Sequence, residues 1–409
     1  MMVLGKYMPR CRIFLLDGAK FRTNLLVLFF DLPLKRETAT KTALLAKVLK
    51  NTDRQEAVKQ AEEMYGALWD VSVVKKGDRQ LLLFSVEVLK TVDTEDAAAF
   101  LRQRVLRPLE MGFLKEKTVD RQKEILRQEM KGLQDDKRAF AQKRISEETA
   151  EGTDHAVSAD GYAEDLDEIT ANGLFGWYRK IVEEAEVKVF FCGDKEEKRR
   201  ILSLRQDFSG RVPFSEKEEA EHPKNGPRFI REKAETAQAR LCLGFLADTG
   251  NACRQASLHL LHQLLGGSPD SMLFQKIREE QGLCYDVKSV LEPMSPYLFV
   301  QTGIRAEDAK EVGKQVLQCL EQMKSEGVSK EKLRQAKDTL LRQMDALADS
   351  PWAMVDFLAE QVLQGKELTT EKFRRQIERI EGEDILCAAK HLELQVVYLL
   401  GGKEEADEN

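Results

Sequence analysis

Two stretches of this sequence repeat one another: Ala43-Leu-Leu-Ala-Lys-Val-Leu49 and His259-Leu-Leu-His-Gln-Leu-Leu265. Both have the closely spaced apolar residues of a buried helix. When the alignment continues without a gap, Gly66-Ala-Leu-Trp-Asp-Val71 falls on Gly282-Leu-Cys-Tyr-Asp-Val287 at the same offset of 216 residues. The repeat therefore predicts a duplicated structural unit of about 200 residues.

Each copy alternates short apolar runs with long charged helical stretches. In the first copy we predict strands at Arg12–Leu16 and Asn24–Phe30, followed by a charged helical region from Thr94 to Glu151. In the second copy the pattern restarts with a strand at Ala239–Leu246 and a hairpin over Val287–Ile304. Hairpins combined with long helices indicate an α+β fold. We expect two homologous domains, each with a mostly antiparallel sheet packed against long helices.

The stretch between the two copies differs from both in composition. Residues 209–227 contain three of the ten prolines, two glycines and a run of charges, and apolar residues are sparse there. Such a composition is typical of an exposed linker between domains. We therefore predict an N-terminal domain at residues 1–208, a linker at 209–228 and a C-terminal domain at 229–409.

Composition excludes several classes of function. The chain has 409 residues, with 42% hydrophobic and 33% charged residues and a net charge of −6, so no basic surface indicates a nucleic-acid partner. The longest apolar run, Leu25–Phe30, is too short for membrane insertion. The N-terminus lacks the pattern of a signal peptide, and the seven cysteines form no C-x-x-C pair. We expect a cytoplasmic protein with reduced thiols.

The second copy carries the most specific motif of the chain. The segment Gly266-Gly-Ser-Pro-Asp-Ser-Met-Leu-Phe-Gln-Lys-Ile-Arg-Glu-Glu-Gln-Gly-Leu-Cys-Tyr285 resembles the C-terminal-domain signature of the M16, or insulinase-like, peptidases. The resemblance implies that Arg278 and Tyr285 contact the backbone of a peptide substrate, where a guanidinium and a phenol can hold a carbonyl. The alternative is a surface ion pair for Arg278 and partial burial for Tyr285.

Active M16 peptidases bind zinc through an H-x-x-E-H motif in the domain that corresponds to the first copy of this chain. Its two histidines share one helix face, and its glutamate serves as the general base. The matching run in this chain places Thr42 at the first histidine, Leu45 at the glutamate and Ala46 at the second histidine. The repeat supports this register, because Ala46 falls on His262 without a gap. Leucine and alanine neither bind a metal nor transfer a proton, so the motif is degenerate.

The third zinc ligand of the family also lacks a clear counterpart. Its position falls near Asp120, and Glu124 and Glu129 keep only the acidic character of that helix. We therefore expect no metal and no catalytic residue in this chain. The resemblance implies that any zinc is bound by a partner subunit.

Two histidines and one tryptophan have alternative interpretations. His259 and His262 are three residues apart, a spacing that can ligate zinc on a helix, but no third ligand is apparent. Packing with a satisfied imidazole is the favoured interpretation. Trp69 takes the repeat position of Tyr285 and is expected to pack into the core.

The resemblance extends from Phe21 to Gly402 and implies a function. M16 chains with two such domains often work in pairs, and in a bacterial variety one chain has H-x-x-E-H while the other keeps the Arg/Tyr pair. This chain has the second pattern. We expect a non-catalytic, substrate-contacting subunit of a heterodimeric zinc peptidase that acts on peptides, with an H-x-x-E-H paralogue as its partner. Homodimerisation stays open.

Two further hypotheses remain. The chain could be a degenerate scaffold without a peptidase role. Lys20–Asn24 and Met64–Ala67 resemble a Gram-positive subgroup of the family that is associated with aminopentanol modification of elongation factor P, so the scaffold could belong to that process. It could also be a lone hydrolase with a different site, although no residues indicate one. Activity of the isolated chain that survives a chelator would favour this last hypothesis.

Overall fold

The computed structural model describes residues 11–202, 204, 208, 226–236, 238–250, 252–366 and 369–401. Most of the predicted linker, residues 209–225, lies outside these ranges. The domain boundaries placed at residues 208 and 229 therefore stay a prediction.

The strands form two five-stranded sheets. The first sheet contains β1 (Cys11–Asp17), β2 (Thr23–Pro33), β3 (Leu68–Lys76), β4 (Arg79–Leu89) and β5 (Glu186–Gly193). The second contains β6 (Arg228–Glu232), β7 (Ala239–Leu246), β8 (Cys284–Leu291), β9 (Tyr297–Ile304) and β10 (Glu393–Leu400).

The helices in the first part of the chain are α1 (Arg36–Asn51), α2 (Arg54–Glu63), α3 (Thr94–Met111), α4 (Glu116–Gly132), α5 (Lys137–Thr149), α6 (Ala171–Glu184) and α7 (Lys198–Ile201). Those in the second part are α8 (Ala252–His262), α9 (Ala309–Ser325), α10 (Lys330–Leu347), α11 (Pro351–Leu363), α12 (Thr370–Arg379) and α13 (Gly382–Lys390). Two π-helical segments follow α8, at Gln263–Gly267 and Phe274–Glu280. Short 3-10 turns lie at Asp154–Ala156, Ala163–Glu168, Lys195–Glu197 and Ala306–Asp308.

Both sheets have the same strand order. It is β1-β5-β2-β4-β3 in the first and β6-β10-β7-β9-β8 in the second. In each sheet the first pair is parallel and the other three are antiparallel. The predicted fold class, α+β with two mostly antiparallel sheets packed with helices, is confirmed.

The repeat is visible in backbone detail. The turn after α2 is closed by Ala67, whose N–H donates to the carbonyl of Ala61 over 2.9 Å, with Gly66 at φ +78°. At an offset of 216 residues, Leu283 donates to the carbonyl of Ile277 over 3.0 Å, and Gly282 has φ +63°. Both turns need the left-handed backbone that glycine adopts without strain. The helix α1 and the helical stretch 252–267 keep the same offset at both ends.

The chain divides into two compact units that are discontinuous in sequence. The first unit comprises Met1–Lys131, Val157–Glu219 and Ala348–Glu360. The second unit comprises Gly132–Ala156, Ala220–Leu347 and Gln361–Asn409. Consequently α5 belongs to the second unit, and most of α11 belongs to the first. The two halves of the sequence exchange one helix each.

In the second unit α5 covers one face of the second sheet. Its Ala141 and Ile145 pack in a cluster with Cys242 and Tyr398 of the sheet. A Cβ at residue 244 would collide with the Thr149 side chain at the helix end, so this close approach requires glycine there.

The reciprocal helix, α11, is anchored on the first sheet by charge. Lys76 of β3 donates to Asp356 over 2.7 Å and to Glu360 over 2.7 Å. The Trp352 indole N–H donates to Glu87 of β4 over 3.3 Å. Among the helices that the structure describes, none combines the length and apolarity needed to cross a lipid bilayer.

Candidate functional site

The positions at which the resemblance predicts a degenerate zinc motif lie on α1 inside the first unit. Leu45 and Ala46 are buried in the main apolar cluster of this unit. Thr42 is fully buried, and its hydroxyl donates to the carbonyl of Thr38 over 3.0 Å. The same hydroxyl accepts a hydrogen bond from the Trp177 indole N–H over 3.1 Å. No sequence signal singled out Trp177.

The position of the third ligand lies on the exposed side of α4. Asp120 is exposed, whereas Val119, Gln122 and Leu126 form the buried stripe of this helix. Glu129, a little further along, pairs with Lys47 of α1 over 2.6 Å. The structure therefore brings α4 against α1 without directing the Asp120 carboxylate into the core.

The donor chemistry of these positions does not fit zinc. Zinc in proteins is held by imidazole, thiolate or carboxylate groups. The three α1 positions offer one hydroxyl, already used in two hydrogen bonds, and two hydrocarbon side chains. Across the described part of the chain, no group of three or more His, Cys, Asp or Glu residues could hold a metal ion.

The start of α1 is fixed by the segment around Tyr162. Asp165 accepts two hydrogen bonds from Arg36, over 2.5 and 3.1 Å, and one from Thr40 over 2.5 Å. The Arg36 guanidinium also lies 3.8 Å from the centre of the Tyr162 ring. These contacts stabilise the first turn of α1, so Asp165 has a structural role.

Arg278 lies in a π-helical segment of the second unit. Its guanidinium stacks over the Phe274 ring at 4.6 Å from the centroid, and its Nε is 3.7 Å from Glu279. The side chain is 43% exposed, so it is accessible from solvent. π-Helical turns are rare and occur frequently at functional sites. The counterpart helix α2 is an ordinary α-helix that ends at Glu63.

Tyr285 lies at the beginning of β8, close along the chain to Arg278. The pairing of β8 with β9 shifts register between Cys284 and Asp286, so Tyr285 occupies a β-bulge. Bulges redirect side chains, and the Tyr285 side chain is 59% exposed. Asp286 is fixed by an ion pair with Arg240 over 2.7 Å, which holds the strand beside the bulge.

The repeat provides an internal comparison for this tyrosine. Trp69, at the same offset, lies in β3, which has no such bulge. Its ring contacts Phe100 edge-on at 5.9 Å and packs against the core, as predicted. One aromatic position is therefore packed in the first unit and presented to solvent in the second.

The histidine pair on α8 is satisfied within the second unit. The His259 ring packs edge-on against Phe373 at 5.5 Å. The Ser289 hydroxyl donates to the His262 carbonyl over 3.0 Å and lies 2.7 Å from Nδ1. Because that hydroxyl has one proton, Nδ1–H must be the donor in the second contact. Both imidazoles therefore have packing or hydrogen-bonding roles.

These histidines predict a dependence of stability on pH. Burial lowers the pKa of His259 and of His262 from 6.5 to about 4. The unfolded chain then binds more protons than the folded one below pH 6.5. The stability of the folded unit that depends on the two neutral imidazoles is therefore complete above pH 6.5. It is lost as the pH falls towards 4.

We expect the urea midpoint of the second unit to fall between pH 7.5 and pH 5 in the wild type. The double variant H259L/H262N cannot ionise at these positions, and its asparagine can still donate to Ser289, so its midpoint should fall less. Circular dichroism during urea titration measures the difference, with the exposed His391→Gln as control. Equal pH dependence in all three proteins would contradict this assignment.

Fold and site together define a duplicated α+β protein in which Thr42, Leu45 and Ala46 of α1 are buried in the first unit. The family model described as Peptidase M16 inactive domain matches residues 168–340. The Bacillus subtilis (strain 168) protein named Probable inactive metalloprotease YmfF is 25% identical over 407 residues, which cover 95% of this chain and 95% of that protein. The chain is therefore similar to M16 peptidases of the inactive-domain type.

Two solved structures share the fold. A conserved protein from Enterococcus faecalis V583 superposes with a TM-score of 0.85 at 24% identity, covering 98% of this chain and all of that chain. A peptidase M16 inactive domain from Pseudomonas fluorescens has a TM-score of 0.80 at 20% identity, covering 96% of both chains. At these identities the likeness shows the fold alone.

Proposed function

We propose that this chain is the non-catalytic, substrate-contacting subunit of a heterodimeric M16-type peptidase. The partner, an H-x-x-E-H paralogue, supplies zinc and the general base. The observation that carries the proposal is the exposure of Arg278 and Tyr285 beside one turn of the second unit, where Gly282 donates to the Arg278 carbonyl over 3.2 Å.

The chemistry of the pair supports contact with a peptide backbone. A guanidinium offers several donors in a fixed plane, and a phenol adds one more. Stacking on Phe274 restricts the guanidinium, which lowers the entropy that binding a carbonyl would cost. The substrates are unfolded peptides, and the expected location of the complex is the cytoplasm.

Co-purification tests the pairing. The tagged chain is isolated from lysate of its own cells, and associated proteins are identified by mass spectrometry. A stoichiometric M16-type chain with H-x-x-E-H is the expected result. Recovery of the chain alone, or with unrelated proteins only, would contradict the heterodimer.

Zinc removal gives a second prediction. We expect the isolated chain to bind only substoichiometric zinc, because Leu45 and Ala46 provide no ligands. The complex should contain zinc and lose peptide hydrolysis with 1,10-phenanthroline. Metal analysis by plasma mass spectrometry and a quenched-peptide assay measure both. Hydrolysis by the isolated chain that resists the chelator would instead indicate a metal-independent site.

A scaffold function is the second candidate. It is favoured by the core packing of the zinc-motif positions and by the near full-length likeness to a protein named as an inactive metalloprotease. The link to elongation factor P modification belongs to this candidate. It predicts a complex whose activity is insensitive to substitution of Arg278.

A further inference from the structure

A large groove lies in the second unit between α9 and the sheet. Its volume is about 1010 Å³. The floor consists of six side chains from three adjacent strands, and the wall is one side of α9. The floor residues are Phe229, Arg231, Leu241, Leu243, Val397 and Leu399.

Strand register identifies the same place in the first unit. In the second sheet Phe229 pairs with Val397, which pairs with Leu243. In the first sheet the equivalent row is Cys11, Val187 and Phe30. The next row, from Arg231 through Leu399 to Leu241, matches Ile13, Val189 and Leu28.

In the first unit this place is filled by the chain itself. The segment that begins with α7 contributes Ile201, Leu204 and Phe208 to the core. The Phe208 ring contacts Phe30 edge-on at 5.9 Å. The spacing of these three residues, i, i+3 and i+7, is that of one helix face.

The described residues of the second unit supply no equivalent segment. After β10 they end at Gly401. The consequence is visible at the first position of the row. Phe229 is 65% exposed, whereas its counterpart Cys11 is 2% exposed. An exposed phenylalanine on the floor of an open groove marks an interaction surface.

We propose that this groove binds an amphipathic helical segment of a partner protein, with apolar residues at i, i+3 and i+7. The first unit shows which side chains such a groove accepts, since the two rows of its floor take the equivalent places in strand register. Helix-in-groove recognition needs only three or four such anchors. On the wall, Ala309, Gly313 and Leu317 are four residues apart and face the groove.

Charge at the start of α9 sets no requirement for the partner. In the first unit Arg200 pairs over 2.6 Å with Asp93 at the start of α3. In the second unit Glu307 and Asp308 stand at the start of α9, where Arg305 already pairs with them over 3.4 and 2.7 Å. The partner helix is therefore defined by its apolar residues.

The probe is a fluorescein-labelled synthetic peptide with the sequence of residues 195–210 of this chain, which carries Arg200 and the three apolar residues. Added to the full-length protein, it is expected to give a saturable increase in fluorescence anisotropy. A peptide with serine at 201, 204 and 208 should bind at least about tenfold more weakly, because burial of the three side chains provides most of the affinity.

Two groove variants locate the binding. Phe229→Glu/Leu317→Glu places charge on the floor and wall, and Gly313→Leu fills the groove. A Cβ at Gly313 meets only Leu241, at 3.9 Å, so this substitution should fold. Both should weaken binding at least about tenfold. The matched control, Phe113→Glu, alters another exposed phenylalanine and should bind normally.

Absence of saturable binding of the peptide overturns the proposal. Equal binding of the peptide by the wild type and the groove variants also overturns it, because the peptide would then replace residues 195–210 in the first unit. Binding that appears only after deletion of residues 403–409 would assign the groove to this chain's own segment and also overturn it.

Discussion

Replacement of Lys188 by alanine is expected to lower the free energy of unfolding of the first unit by about 3–5 kcal/mol. The Lys188 side chain, on β5, is 1% exposed. Its ammonium group lies 2.6 Å from Asp31 and 2.7 Å from Glu186. Arg79 completes the cluster with a 2.7 Å contact to Asp31.

The size of the loss in unfolding free energy follows from the charges that remain after the substitution. Burial alone would raise the pKa of Asp31, but the charges of Lys188 and Arg79 outweigh it, so the pKa lies below its ordinary value. Without Lys188, the buried Asp31 is left with Arg79, and the partly exposed Glu186 is left with Arg12 at 2.7 Å. A buried charge that has lost its partner costs far more than the pair contributes.

Tryptophan fluorescence during urea unfolding measures the change. All three tryptophans, Trp69, Trp177 and Trp352, belong to the first unit, so the signal reports this unit. The matched control is Lys59→Ala, which removes an exposed 4.0 Å pair with Glu63 and should cost under about 1 kcal/mol. A similarly small loss for Lys188→Ala would mean that the cluster contributes little.

In the two-chain complex, Arg278→Ala is expected to lower kcat/KM for peptide hydrolysis by about 10²–10³-fold, the usual cost of losing one donor to the reacting carbonyl. This expectation rests on the proposed function. Tyr285→Phe keeps the ring but removes the phenol donor, so its loss should be smaller.

The experiment separates contact with substrate from assembly. Turnover of a quenched fluorescent peptide is measured for complexes whose composition is checked by size-exclusion chromatography. Arg334→Ala, at another exposed arginine of the second unit, serves as the control and should leave turnover unchanged. A complex that stays assembled with full turnover after Arg278→Ala would remove the role assigned to this residue and favour the scaffold.

Much of the fold could be predicted because its signals are local. Strand Asn24–Phe30 and hairpin Val287–Ile304 are apolar runs bounded by turns, and the structure places β2 and the β8–β9 pair there. The packing of Trp69 was predicted from its position in the repeat. The bulge at Tyr285 was not, since a change of one residue in strand register leaves no local pattern.

By itself, the sequence determined the duplication, many elements of each copy and the residue types at positions 42, 45 and 46, since these depend on residue type and on spacing along the chain. Only the tertiary structure decided that α5 and α11 are exchanged between the units, because an apolar helix face does not specify which sheet it covers. It also decided that Phe229 borders an open groove while Cys11 is buried. That difference depends on a segment far away in sequence, which packs on one sheet and has no described counterpart on the other.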